Sequence, residues 1–170
     1  SARIFSRAPG RRFPGTTGSI DPEDYAEIGG LWEALERNNI SFYNFGQANE
    51  TAHTVERWYD TNTGAAHGVM VPMPKALFNR TSHNFAGFNM NIPDQYRMDQ
   101  FEKEFTEKWI KGKMKLPSLI TMMLPNDHLA GIRPDDGYMY PHSFMADNDL
   151  AVGRVLHFLS RTKYWKNMLV

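Results

Sequence analysis

The residues best equipped for chemistry lie together in Leu124-Pro125-Asn126-Asp127-His128-Leu129-Ala130-Gly131, where a carboxylate and an imidazole are neighbours. Asp127 offers hard oxygen donors suited to a divalent cation, and His128 offers a nitrogen that can hold a phosphate oxygen or move its proton. Consecutive side chains diverge on an extended strand, but in the tight turn that Pro125-Asn126 and Gly131 suggest they can converge. A structural reading competes: Asn126 and Asp127 form an Asx turn, and His128 bonds a backbone carbonyl. Arg133 carries forked donors that match a phosphate, although Asp135 and Asp136 beside it equally suit a surface ion pair.

Asp147-Asn148-Asp149 falls within a predicted helix, so its two acids point to different faces. Asp147 can reach inward, where bonding a neighbouring loop is the commoner role for such an acid than binding a metal. The remaining histidines, His53, His67, His83, His142 and His157, show no HxH or HExxH spacing. No Walker loop, GxGxxG or GxSxG is present, so nucleotide-binding and serine-hydrolase readings have no motif behind them. Cysteine is absent, which removes disulfides, thiolate metal sites and a cysteine nucleophile from this sequence.

The elements that must position these groups follow from periodicity. The sequence predicts a short helix at 31–37 with Leu31, Ala34 and Leu35 on one face and Asn38-Asn39 as its stop, then a strand at 40–45. The clearest helix starts at Pro93-Asp94, with Asp94 able to cap, carries Met98, Phe101, Phe105 and Trp109 on one stripe, and ends by Gly112. Ser118 to Leu124 is nearly all apolar, as expected of a central parallel strand covered on both faces. A last helix is predicted from Pro141 to Ser160 with Phe144, Ala151, Val155 and Phe158 or Leu159 inward, followed by a strand cut at its start near Met168. Such alternation indicates an α/β fold, a partial and mostly parallel sheet flanked by helices. Asp127 would then lie just past the C-terminal end of a strand, the edge where open α/β sheets hold their ligands.

The chain has 170 residues, with 19 basic and 19 acidic side chains. Zero formal charge gives no long-range pull toward nucleic acid or acidic lipid, and no apolar run approaches the length of a membrane span. Charge is nevertheless uneven. Residues 1–20 carry Arg3, Arg7, Arg11 and Arg12 and no acid, and read as a basic connector or arm, with no nucleic-acid partner expected. Residues 21–170 read as the α/β segment proper, interrupted by an irregular excursion at 47–93 that covers the sheet or, less simply, forms a lid.

Gly30-Leu31-Trp32-Glu33-Ala34-Leu35, Ile40-Ser41-Phe42-Tyr43-Asn44-Phe45-Gly46 and Ile92-Pro93-Asp94-Gln95-Tyr96-Arg97 resemble the middle of bacterial phosphoesterases of the alkaline phosphatase superfamily, relatives of phospholipase C and acid phosphatase. Leu124-Pro125-Asn126-Asp127-His128 with Gly131 and Pro134, then Met145-Ala146-Asp147-Asn148-Asp149-Leu150-Ala151-Val152-Gly153-Arg154 and Tyr164-Trp165-Lys166, is similar to that family's most recognisable block, in order and spacing. The resemblance runs from about Gly29 to Val170 and is thinnest in the excursion. It implies an alkaline phosphatase-like core and metal-assisted hydrolysis of a phosphoric ester. Asp127 would bind a divalent metal ion, His128 would be catalytic, and Asn126 and Arg133 would bind the phosphate-ester substrate. It also implies that the nucleophile and further metal ligands belong to flanking segments of the same domain, so that this portion alone is inactive, and a periplasmic or secreted location. The alternative is a noncatalytic accessory or ligand-binding α/β module.

Overall fold

The computed structural model describes residues 30–47, 75–88, 90 and 92–170. The basic arm at 1–20, residues 21–29 and the stretch 48–74 of the excursion lie outside the described residues. The chain divides into two compact units, one of Ser1–Asn89 with Pro117–Met123, the other of Met90–Leu116 with Leu124–Val170.

In the first unit, helix α1 (Leu31–Arg37) starts with the Gly30 N–H donating to Glu33 Oε2 at 2.8 Å. It buries Trp32 and Leu35, whereas Leu31 is exposed, which corrects the expected face. The indole decides the matter: Trp32 and Leu35 are also three residues apart, and Trp32 packs its large ring on Phe42 at 5.4 Å. Asn38 closes the helix by donating to Ala34 O, and Asn39 takes a left-handed φ of 55°.

Strand β1 (Phe42–Phe45) then pairs in parallel with β2 (Leu119–Met122), from Phe42↔Leu119 to Phe45↔Met122. The other edge of β1 is bonded at Asn44, whose N–H donates to Arg80 O and whose carbonyl accepts from Ser82 N. β1 is therefore the inner strand. All four residues of β2 are only half-buried, and no further strand pairs with it among the described residues, so the expected central, doubly covered strand is here a sheet edge.

Part of the excursion proves to be core. Helix α2 (Lys75–Phe78) is too short to show a period in sequence, yet Ala76 and Leu77 join Trp32, Leu35 and Phe42 in one buried cluster, with Leu119 packed against it. Phe85 is fully buried, edge-on to Phe45.

In the second unit, α3 (Asp94–Phe105) runs into a π-helical turn, Thr106–Ile110, closed by the Lys111 N–H on Thr106 O. Met98, Phe101, Phe105 and Trp109 are all buried, as their spacing predicts. The run ends before Gly112, where the close approach of Lys108 O, 2.3 Å from where a Cβ would sit, admits only glycine. Helix α4 (Pro141–Ser160) matches its predicted limits and buries Phe144, Ala151 and Leu159, while Val155 is only half-buried. Phe158, also half-buried, meets Phe101 and Phe105 edge-on, and Arg154 of α4 bonds Asp99 and Glu102 of α3.

The last residues depart from expectation. Trp165–Asn167 form a 3-10 turn, and Met168–Val170 join no strand. An apolar segment becomes a strand only where a neighbouring strand accepts its backbone bonds, and none does so among the described residues.

Candidate functional site

Pro125–His128 form a 3-10 turn, with Pro125 at the first position, where its fixed φ suits the turn and its missing N–H is no loss. The residues of this turn meet opposite environments. Pro125 and Asn126 are buried, whereas Asp127 and His128 are exposed.

Beneath the turn lies a polar hub built from the first turn of α3 and, about two turns into α4, Asp147 and Asn148. Asp94, expected as a cap, is instead the first residue of its helix, with Pro93 before it, and its carboxylate is wholly buried. Asp94 Oδ1 accepts from Arg97 at 3.0 Å, and Oδ2 accepts from the Asn126 backbone N–H at 3.2 Å and from Asn148 Nδ2 at 2.9 Å. Asp147 Oδ2 accepts from Asp94 N at 2.7 Å, Asn126 Nδ2 at 2.6 Å and Tyr138 OH at 3.2 Å, while Oδ1 accepts from Gln95 Nε2. Asn148 also donates to Leu124 O, fixing the residue before the turn.

Burial dominates the electrostatics of the hub. It raises the Asp94 carboxyl above its ordinary value despite Arg97 alongside. It also lowers Arg97 to about 10 despite Asp94. Both members are pushed toward neutrality because desolvation outweighs their mutual attraction. Tyr138 is raised, first by burial and then by the adjacent Asp147 carboxylate, so its phenol stays a donor.

Above the hub, His128 Nδ1 lies 2.7 Å from Asp127 Oδ1, with the two side chains 60% and 53% exposed respectively. The convergence that a tight turn allows is therefore present. A carboxylate bonded to Nδ1 fixes the ring's orientation and tautomer and leaves Nε2 as its second polar atom.

The four residues singled out in sequence thus separate. Asp127 and His128 are brought together at the surface. Asn126 faces inward, its amide donating to Asp147 and its Oδ1 buried without a partner among the described residues. Arg133 is half-buried, donates to Met90 O, pairs with Asp136 at 3.4 Å and lies over the rings of Tyr138 and Phe144. A shallow depression of about 510 Å³, lined by Pro93, Asp136, Tyr138, Ser143 and Asp147, opens beside the hub and does not include Asp127 or His128.

The donor chemistry of Asp127 and His128 fits a divalent cation as two ligands of a larger set. Zinc takes three or four protein ligands and calcium more. Among the described residues no group of three His, Cys, Asp or Glu is placed to share an ion. Asp94 and Asp147 do not extend the set, because N–H and O–H groups already occupy their oxygens.

Sequence reasoning missed Asp94, Arg97 and Tyr138 as hub members. The available signal was the Asp94–Arg97 spacing of i and i+3 in a helical first turn, which places an acid and a base side by side. Comparison with family models, with curated proteins and with solved structures returns no match for this chain.

Proposed function

We propose that this chain is an internal portion of a metal-dependent phosphoric-ester hydrolase related to the alkaline phosphatase superfamily. The observation that supports the reading is the coupled, outward Asp127–His128 pair on a turn whose base is locked by buried hydrogen bonds. The residue pattern around it supplies the family expectation. The alkaline phosphatase-like core, the nucleophile and remaining ligands on flanking segments, and a periplasmic or secreted location belong to the same proposal.

In this reading Asp127 presents its carboxylate to the cation and orients the His128 ring through Nδ1. His128 holds a phosphate oxygen, or a proton for the leaving group, at Nε2. A bound divalent ion supplies charge stabilisation to the attacking and leaving oxygens during in-line displacement. Asn126 serves from below, by fixing the turn. Arg133 reaches a phosphate only if its guanidinium leaves Asp136, so its contribution to substrate binding is secondary.

The reading is tested with a chromogenic phosphate ester and added divalent metals. The chain alone is expected to give no turnover, and the chain extended by its flanking segments is expected to give metal-dependent turnover. Failure of the extended protein to hydrolyse any phosphoric ester at saturating metal would favour the accessory-module alternative. Robust hydrolysis by the chain alone would contradict the claim that essential groups lie on the flanks.

A further inference from the structure

One end of the second unit is strongly basic, although the chain as a whole is neutral. Helices α3 and α4 run in the same direction, since Asp147 bonds Gln95, Arg154 bonds Asp99 and Glu102, and Phe158 meets Phe105. Their C-terminal ends therefore coincide, and the Tyr164 OH ties them together by donating to Trp109 O at 2.7 Å. Residues 108–116 bring Lys108, Lys111, Lys113 and Lys115 to this end. Residues 155–170 bring Arg161, Lys163 and Lys166, and neither stretch contains an Asp or Glu. The acids at hand are Glu104, which pairs with Lys108 at 3.5 Å, and Glu107. Lys111, Lys113, Lys115 and Lys166 are exposed and pair with no acid among the described residues.

Two ordinary roles do not account for this charge. Cations at a helix C-terminus offset its dipole, but the effect fades within the last turn; Lys108 and Arg161 lie there, whereas Lys113, Lys115, Lys163 and Lys166 lie beyond it. A face that is merely solvated would be polar throughout. This one interleaves its lysines with Ile110, Met114 and Trp165, which are 40%, 54% and 39% exposed.

That mixture matches a bilayer interface, where ammonium groups meet anionic headgroups while apolar and indole side chains enter the boundary with the acyl chains. A nucleic acid would satisfy the lysines but offers Ile110 and Met114 no apolar medium, and one indole makes no stacking platform. We propose that this end of the second unit docks on an anionic lipid surface, with the lysines of both segments on the headgroups and Ile110, Met114 and Trp165 entering between them. The inference goes beyond the hydrolase reading and makes no use of the Asp127–His128 pair.

The test is co-sedimentation of the full chain with vesicles of equimolar phosphatidylserine and phosphatidylcholine, compared with vesicles of phosphatidylcholine alone. Binding is expected to the first kind only and is expected to weaken as salt rises. Lys111→Gln, Lys113→Gln and Lys115→Gln combined are expected to lower the affinity by about 100-fold, near fivefold for each charge, with the melting temperature unchanged. Met114→Ser keeps every charge and is expected to cost about tenfold. Replacing Arg3, Arg7, Arg11 and Arg12 by Gln is expected to leave binding as it is, which separates this patch from the basic residues near the start of the sequence.

No binding to the anionic vesicles, equal binding to both kinds, or loss of binding in the arginine variant would overturn the proposal. Lipid binding unchanged in Met114→Ser, with a duplex oligonucleotide held more tightly than the vesicles, would overturn it in favour of nucleic acid.

Discussion

Asn126 and Asp127 are adjacent in the chain, yet Asn126 is closed off from water while the Asp127 side chain is 53% exposed. The contrast extends to their surroundings. Below the turn, Asp94, Arg97, Tyr138 and Asp147 spend their polar atoms on one another and on the backbone. Above it, a carboxylate and an imidazole bond each other and face solvent. Polar groups of similar chemistry thus do two jobs. The hub fixes a backbone and has little capacity left for a ligand, while the pair stands exposed and adds little to stability.

The sharpest way to break this contrast is to unbalance the hub. Arg97→Met leaves Asp94 buried without its cation, and loss of one partner of such a pair costs about 3–5 kcal/mol. Urea unfolding is expected to show that loss, and a change below about 1 kcal/mol would mean that water reaches the hub.

A smaller effect concerns proton binding. Burial raises the Asp94 carboxyl above the ordinary 3.8, with Arg97 opposing it. A folded pKa above the unfolded one means the folded state binds that proton more tightly. The resulting stability is fully present below the unfolded value and is lost as pH rises through the folded value. Wild-type stability measured relative to Asp94→Asn is therefore expected to fall as pH climbs from below 3.8 through the raised folded pKa, then to level off. A difference independent of pH would show that Arg97 and the hydrogen bonds fully offset burial.

Much of the fold was legible in the sequence, for identifiable reasons. The limits of α4 and the buried stripe of α3 are repeated apolar signals many residues long. Leu31 is exposed against expectation because a seven-residue helix offers two apolar faces, and only contact with Phe42 chooses between them. Leu77 and Phe85 could not be recognised as core, since their burial depends on partners distant in sequence. The strand expected to start near Met168 finds no partner among the described residues, and a strand is a property of a pair.

The site was half legible. Residue type and the turn pointed to Asp127 and His128 as a converging pair. The inward rotation of Asn126 was not readable, because it follows from Asp147, twenty-one positions away. The ring stacking of Arg133 was equally hidden, as Tyr138 and Phe144 carry no local mark of it.

The most direct measurement of the central claim is Asp127→Asn in the protein carrying its flanking segments, assayed for metal-dependent phosphate-ester turnover and for equilibrium unfolding. The exposed pair is expected to contribute no more than about 1 kcal/mol to stability. Turnover is expected to fall by about 100-fold or more. Unchanged turnover at saturating metal, or an unfolding free energy lowered as far as in Arg97→Met, would contradict the division between a hub that holds and a pair that acts.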